Sequence, residues 1–119
     1  MIDVNDLLGV PYIDNGRDIE SGLDCYGLAL EVEKRLGKHL HDVQYENHNL
    51  TLSDKYAPTL NVEPAAHAAE GVLVEMEFKN SLHIGVCLND KLMIHATAHG
   101  VQISPIGLFK IRGLYNVTD

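Results

Sequence analysis

GLDCYGLALEVEKRLG, residues 22–37, is the stretch whose reading decides the fold. Cys25, Leu28, Ala29, Val32 and Leu36 fall at i, i+3, i+4, i+7 and i+11, which builds one apolar face of a helix. Ser21 or Asp24 can cap its start, Gly37 can stop it, and Lys34 and Arg35 suit the negative end of its dipole. The spacing predicts a helix over 24–36 with Cys25 in its first turn. A cysteine reacts as its thiolate, and the positive end of a helix favours that anion. By itself the pattern also fits a small apolar residue at the core end of the helix.

Working outward, Val4, Leu7 and Leu8 form a short apolar pattern of one or two helical turns ended by Gly9 and Pro11. Residues 11–22, rich in Gly, Asn and Asp, read as a loop leading into Cys25. Residues 38–69 carry the weakest pattern. LTLSDKYAPTL (50–60) fits a second helix or an ordered loop, and EPAAHAAE (63–70) a helical turn or connector.

From residue 71 the period shortens. GVLVEMEF (71–78), LHIGVCL (82–88) and KLMIHAT (91–97) are strand patterns, and the turn at Asn89-Asp90 makes 82–96 a hairpin. VQISPI (101–106) follows a turn at His99-Gly100, and RGLYNV (112–117) reads as a last strand. A helix followed by a meander predicts an α+β fold, with 1–119 as a single domain.

The hairpin brings His83 and His95 near each other across the ladder, toward its open end. One imidazole can act as base and the other can orient it. A pair of solvated cross-strand histidines is the competing reading. His39, His41, His48 and His67 lie in polar stretches and read as solvated, and Cys87, between apolar strand residues, reads as core.

Composition excludes several classes. Nine Lys and Arg against seventeen Asp and Glu give a net charge of −8, which argues against a phosphate-backbone binder and a polybasic membrane helix. No apolar run approaches about 18 residues, so no membrane span is expected. The acidic N-terminus lacks a signal-peptide pattern, so both cysteines are expected as thiols and the chain as cytoplasmic on synthesis.

These residues resemble the NlpC/P60 cysteine peptidases. Pro11, Tyr12, Gly16, Gly22, Asp24, Cys25, Gly27 and Leu28 match the family's amino-terminal motif. His83-Ile84-Gly85-Val86 and Ile94-His95-Ala96 match its second block. The resemblance implies a papain-like α+β fold, its N-terminal helix carrying the cysteine against an antiparallel sheet. It implies Cys25 as nucleophile, His83 as general base and His95 as the orienting residue. It further implies Tyr12, Asp24 and Tyr26 around the substrate, with Tyr26 standing where the family usually has a small serine. The implied activity is hydrolysis of amide bonds in bacterial cell-wall (peptidoglycan stem) peptides, through a thioester and without cofactor or metal. Gly16-Arg17-Asp18 ahead of the motif looks more like the peptidases of phage and prophage tail assembly, which implies tail proteins as partners and virion-associated action at the wall.

Three other functions stay open from the residues. One is a catalytically silent docking part of a phage tail. Another is a metal-binding module of His83, His95 and Cys25 or Cys87, for which no Cys-x-x-Cys or His-x-x-x-His pair lies on a secure element. The third is another thiol-acyl chemistry on the same fold.

Overall fold

The computed structural model describes residues 2–42, 60–78 and 81–118. The first helix, α1, spans Cys25–Arg35, with Asp24 as N-cap accepting a hydrogen bond from the Gly27 N–H at 2.7 Å. At the other end Gly37 takes a left-handed φ of 80° and the Lys38 N–H returns to the Glu33 carbonyl at 2.8 Å. That is the closure expected when glycine follows a helix. Ahead of α1, Asn5–Leu7 form a single 3-10 turn, and the expected loop at 11–22 contains a two-residue ladder, β1 (Arg17–Asp18) on β2 (Gly22–Leu23).

The sheet has six antiparallel strands: β3 (Val62–Pro64), β4 (Leu73–Phe78), β5 (Ser81–Cys87), β6 (Leu92–Thr97), β7 (Gly100–Pro105) and β8 (Lys110–Val117). Their spatial order is β3-β8-β4-β5-β6-β7. The meander expected from the sequence therefore holds from β4 to β7. The last strand departs from it, crossing back to pair with β4 on one side and β3 on the other. Val62–Pro64, expected as a turn or connector, is an edge strand. Its proline suits an edge, where a missing N–H costs no ladder bond. The expected second helix at 50–60 falls on residues outside those described, apart from Leu60, as does His48.

Strand alternation sorts the core into two faces. Ile84, Val86, Ile94, Ala96 and Leu73 meet Leu28, Ala29 and Val32 of α1, with Leu7 alongside. Burial of a leucine such as Leu28 or Leu7 stabilises the fold by about 1.5–3 kcal/mol. Val74, Met76, Cys87 and Met93 face the other way, against Ile106, Phe109 and Leu114. A helix against one side of an antiparallel sheet is the α+β architecture expected. Among the described residues no helix is long and apolar enough to cross a membrane.

Candidate active site

The loop before α1 is held tightly over the helix tip. A side-chain Cβ at Gly27 would stand 2.0 Å from the Gly16 carbonyl oxygen, so glycine is required for that approach. Asp24, 1% exposed, ties the loop and the helix together. It accepts from the Gly27 N–H, from the Asn15 N–H at 3.0 Å and from Arg17 Nη1 at 2.8 Å. Arg17 also donates to the Gly16 carbonyl and pairs with Asp42.

Cys25 follows, 9% exposed, with the backbone amides of Ile84 and Tyr26 near enough to favour its anion. The contact with Ile84 has a topological cause. The β5–β6 ladder runs from Cys87↔Met93 only as far as Gly85↔His95, while β5 continues against β4 alone and β6 against β7. The two strands part beyond Gly85, which leaves Ile84, in one core cluster with Cys25, outside the β5–β6 ladder.

His83 stands one residue before Ile84, on the alternate face of β5. Its Nε2 is 3.1 Å from Nδ1 of His95, and the rings meet edge-on with centroids 5.2 Å apart. His95 Nε2 in turn lies 2.9 Å from Ser104 Oγ on β7, and Phe109 packs against the His95 ring at 5.3 Å. The structure thus brings His83 and His95 together, and Cys25 against the strand that carries His83. Both histidines are buried rather than solvated.

The electrostatics run against the simplest expectation for the thiol. Burial first, and the Asp24 carboxylate second, push the Cys25 thiol up to about 12, outweighing the N–H groups of Ile84 and Tyr26 and the charge of Arg17. The N-cap carboxylate cancels the anion-favouring end of the helix. Burial lowers His83 to about 4, helped by its neighbour His95, and lowers His95 to about 4. Both shifts favour the uncharged thiol and imidazoles at rest.

The expected substrate residues separate. Tyr12, half-buried, bridges to Leu23 and lies near enough to the charges of Cys25 and Asp24 for its phenol to be raised, burial being the larger cause. Tyr26 is fully buried, its hydroxyl donating to the His41 carbonyl and its ring lying under the Arg17 guanidinium. It is a core residue, and its phenol fills space beneath the loop. Asp24 is occupied by three donors.

Arg17, Ser104 and Phe109 were not singled out from the sequence as site residues. Ser104 was discoverable: with the hairpin turning at His99-Gly100, it falls two positions from the partner of His95 on the same face. Cys25 and Cys87 are free thiols, and Cys87 is core as expected. Among the described residues no group of three or more His, Cys, Asp or Glu is placed to hold a metal ion.

The solved structure of the NlpC/p60 domain of the peptidoglycan hydrolase SagA matches this fold with a TM-score of 0.61 at 20% identity, over 92% of this chain and 88% of that one. No curated protein sequence matches closely enough to count as a relative. The sequence profile of the NlpC/P60 family matches residues 9–109, most of the chain. Helix, sheet and profile agree: this chain belongs to the NlpC/P60 family.

Proposed function

We propose that the chain is a cysteine peptidase that hydrolyses amide bonds in bacterial cell-wall peptides. The observation that carries this reading is the buried His83–His95–Ser104 chain on a sheet whose strand β5, through Ile84, packs in one core with Cys25 at the tip of α1. The family and the fold of SagA, itself a peptidoglycan hydrolase, support the substrate class.

Because the resting pair is uncharged, attack and deprotonation are concerted. The Cys25 sulfur adds to the scissile carbonyl carbon while its proton passes to Nδ1 of His83, Nε2 being engaged by His95. The carbonyl oxygen becomes an oxyanion that the Cys25 backbone N–H can meet, since first-turn amides have no intrahelical acceptor. Collapse breaks the C–N bond, the leaving amine takes the proton from His83, and a thioester remains on Cys25. Water then attacks the thioester with His83 again as base, and releases the acid and the free thiol. His95 steadies the imidazolium, and Ser104 accepts from His95 Nε2–H, which fixes His95 Nδ1 as the acceptor facing His83. Tyr12 lines the approach to the sulfur, and 1–119 acts as one domain.

A phage or prophage tail setting rests on Gly16-Arg17-Asp18 ahead of the motif. A silent docking role in such a tail is favoured by the burial of Cys25 beside the Asp24 carboxylate, which raises its thiol. Incubation with defined wall peptides, read by mass spectrometry, separates the two. Hydrolysis by the wild type that is lost in Cys25→Ala is expected of the peptidase, and intact peptides in both would leave the docking role.

A further inference from the structure

The helix that carries Cys25 at its tip bears Glu33 in its last turn, about 12 Å further along its axis. Glu33 is 1% exposed, and among the described residues neither of its carboxyl oxygens has a hydrogen-bond partner. Native proteins seldom leave a buried carboxyl in that condition. It borders a cavity of about 660 Å³, walled also by Leu36, Lys38, Glu63, Glu70 and Val117. Gly71 adjoins it with a left-handed φ of 88°, and a Cβ there would stand 3.5 Å from Glu33 Oε1, in ordinary contact with the carboxyl.

The surroundings are negative. Glu63 and Glu70 face one cation, Lys38, whose ammonium is drawn to the Val117 carbonyl at 3.5 Å, and burial keeps the Glu33 carboxyl largely protonated near pH 7 until a bound cation takes the place of its proton. The negative end of the α1 dipole adds to the field. A bare divalent ion does not fit, because the carboxyls are too dispersed to coordinate one among the described residues. Leu36 and Val117 supply apolar wall for a hydrocarbon stem.

We propose that this cavity is a second ligand site that takes a primary ammonium on an alkyl stem, such as the side chain of a lysine or other diamino acid, with Glu33 as its ion partner. The site lies at the opposite end of α1 from Cys25 and does not depend on the peptidase reading. Glu63 and Glu70 attract the cation at the mouth, Leu36 and Val117 cover the stem, and the Glu33 carboxyl accepts from the ammonium in place of the partner it lacks.

The test titrates n-pentylamine into the wild-type protein at about pH 7, with n-pentanol as the uncharged control, and follows backbone amide shifts by NMR. Saturable shifts at Leu36, Gly71 and Val117 with the amine alone are expected, and Glu33→Gln should weaken binding by about tenfold or more. Equal shifts with pentanol, an unchanged affinity in Glu33→Gln, or shifts confined to Cys25 and His83 would overturn the site. Should Glu33→Gln not fold, the double substitution Glu63→Gln and Glu70→Gln at exposed positions should weaken the amine by about threefold, and no change there overturns it equally. Wall-peptide hydrolysis, measured beside these, is expected to be unaffected by Glu33→Gln.

Discussion

His83 and His95 touch through Nε2 and Nδ1 at 3.1 Å although they are not opposite each other in the sheet; the residue opposite His95 is Gly85. A Cβ at Gly85 would stand 3.3 Å from that of His95 and 2.9 Å from Met93 Sδ. The absent side chain lets the two rings lean together along the diagonal. Ser104 repeats the offset on the next strand, so Ser104, His95 and His83 form one oblique line across β7, β6 and β5.

Gly85→Ala is therefore expected to wedge the histidines apart. Overpacking at such a site costs about 1–3 kcal/mol. Denaturant unfolding should show that loss, and wall-peptide hydrolysis should fall by more than the folded fraction does.

In the proposed mechanism Ser104 acts through His95, whose Nε2 it meets at 2.9 Å. Ser104→Ala should lower kcat by about 3–10-fold, a loss of about one hydrogen bond, with KM unchanged. Ser104→Thr should restore much of the rate. A merely structural serine would shift Tm while leaving kcat of the folded enzyme intact.

The cap carboxylate and the Cys25 thiolate are like charges, so Asp24 disfavours ionisation of the thiol. Asp24→Asn keeps a capping side chain but removes the anion that raises Cys25. Alkylation of Cys25 by iodoacetamide, followed against pH, should then rise at lower pH than in the wild type. The wild-type thiol itself should react slowly near pH 7, since burial and Asp24 hold it at about 12. Asp24→Asn also weakens the tie to Arg17 and should lower stability by about 1–3 kcal/mol.

Buried His83 and His95 and buried Glu33 give stability two opposite slopes with pH. The imidazoles, near 6.5 when unfolded, are held to about 4. As pH falls between these values the unfolded chain takes protons that the folded chain refuses, and stability drops. Glu33, near 4.5 when unfolded, is raised to about 8 by burial, with Lys38 opposing the rise and Cys87 close enough to feel its charge. Stability is then lost as pH rises from 4.5 toward 8. Glu33→Gln should flatten that alkaline slope, raising Tm near pH 8 by about 4–8 °C for each kcal/mol recovered, and leave the acid slope intact. Thermal melts across pH 4 to 9 check both.

What the sequence made legible was local. The α1 pattern fixed its own face and cap, and the β4–β7 hairpins could be read because their turns are short and polar. Long-range pairings were not legible: β8 returns to β4 across the whole sheet, and Val62–Pro64 has too few residues to show a period. In the site, the meeting of His83 and His95 was legible because one short hairpin carries both. The thiol's raised pKa was not, since it depends on how deeply the tip is buried and on Asp24 winning over Arg17. Tyr26 looked like a substrate contact because it neighbours Cys25, but successive helix residues diverge by about 100°, and this one points into the core.

The most direct test of the central claim is the intact-protein mass of the enzyme quenched in acid during turnover of a defined wall peptide. A mass gain equal to the acyl half of the substrate, mapped by proteolysis to Cys25 and absent from Cys25→Ala, is the predicted result. Product formation with Cys25 unmodified, or undiminished in Cys25→Ala, would contradict it.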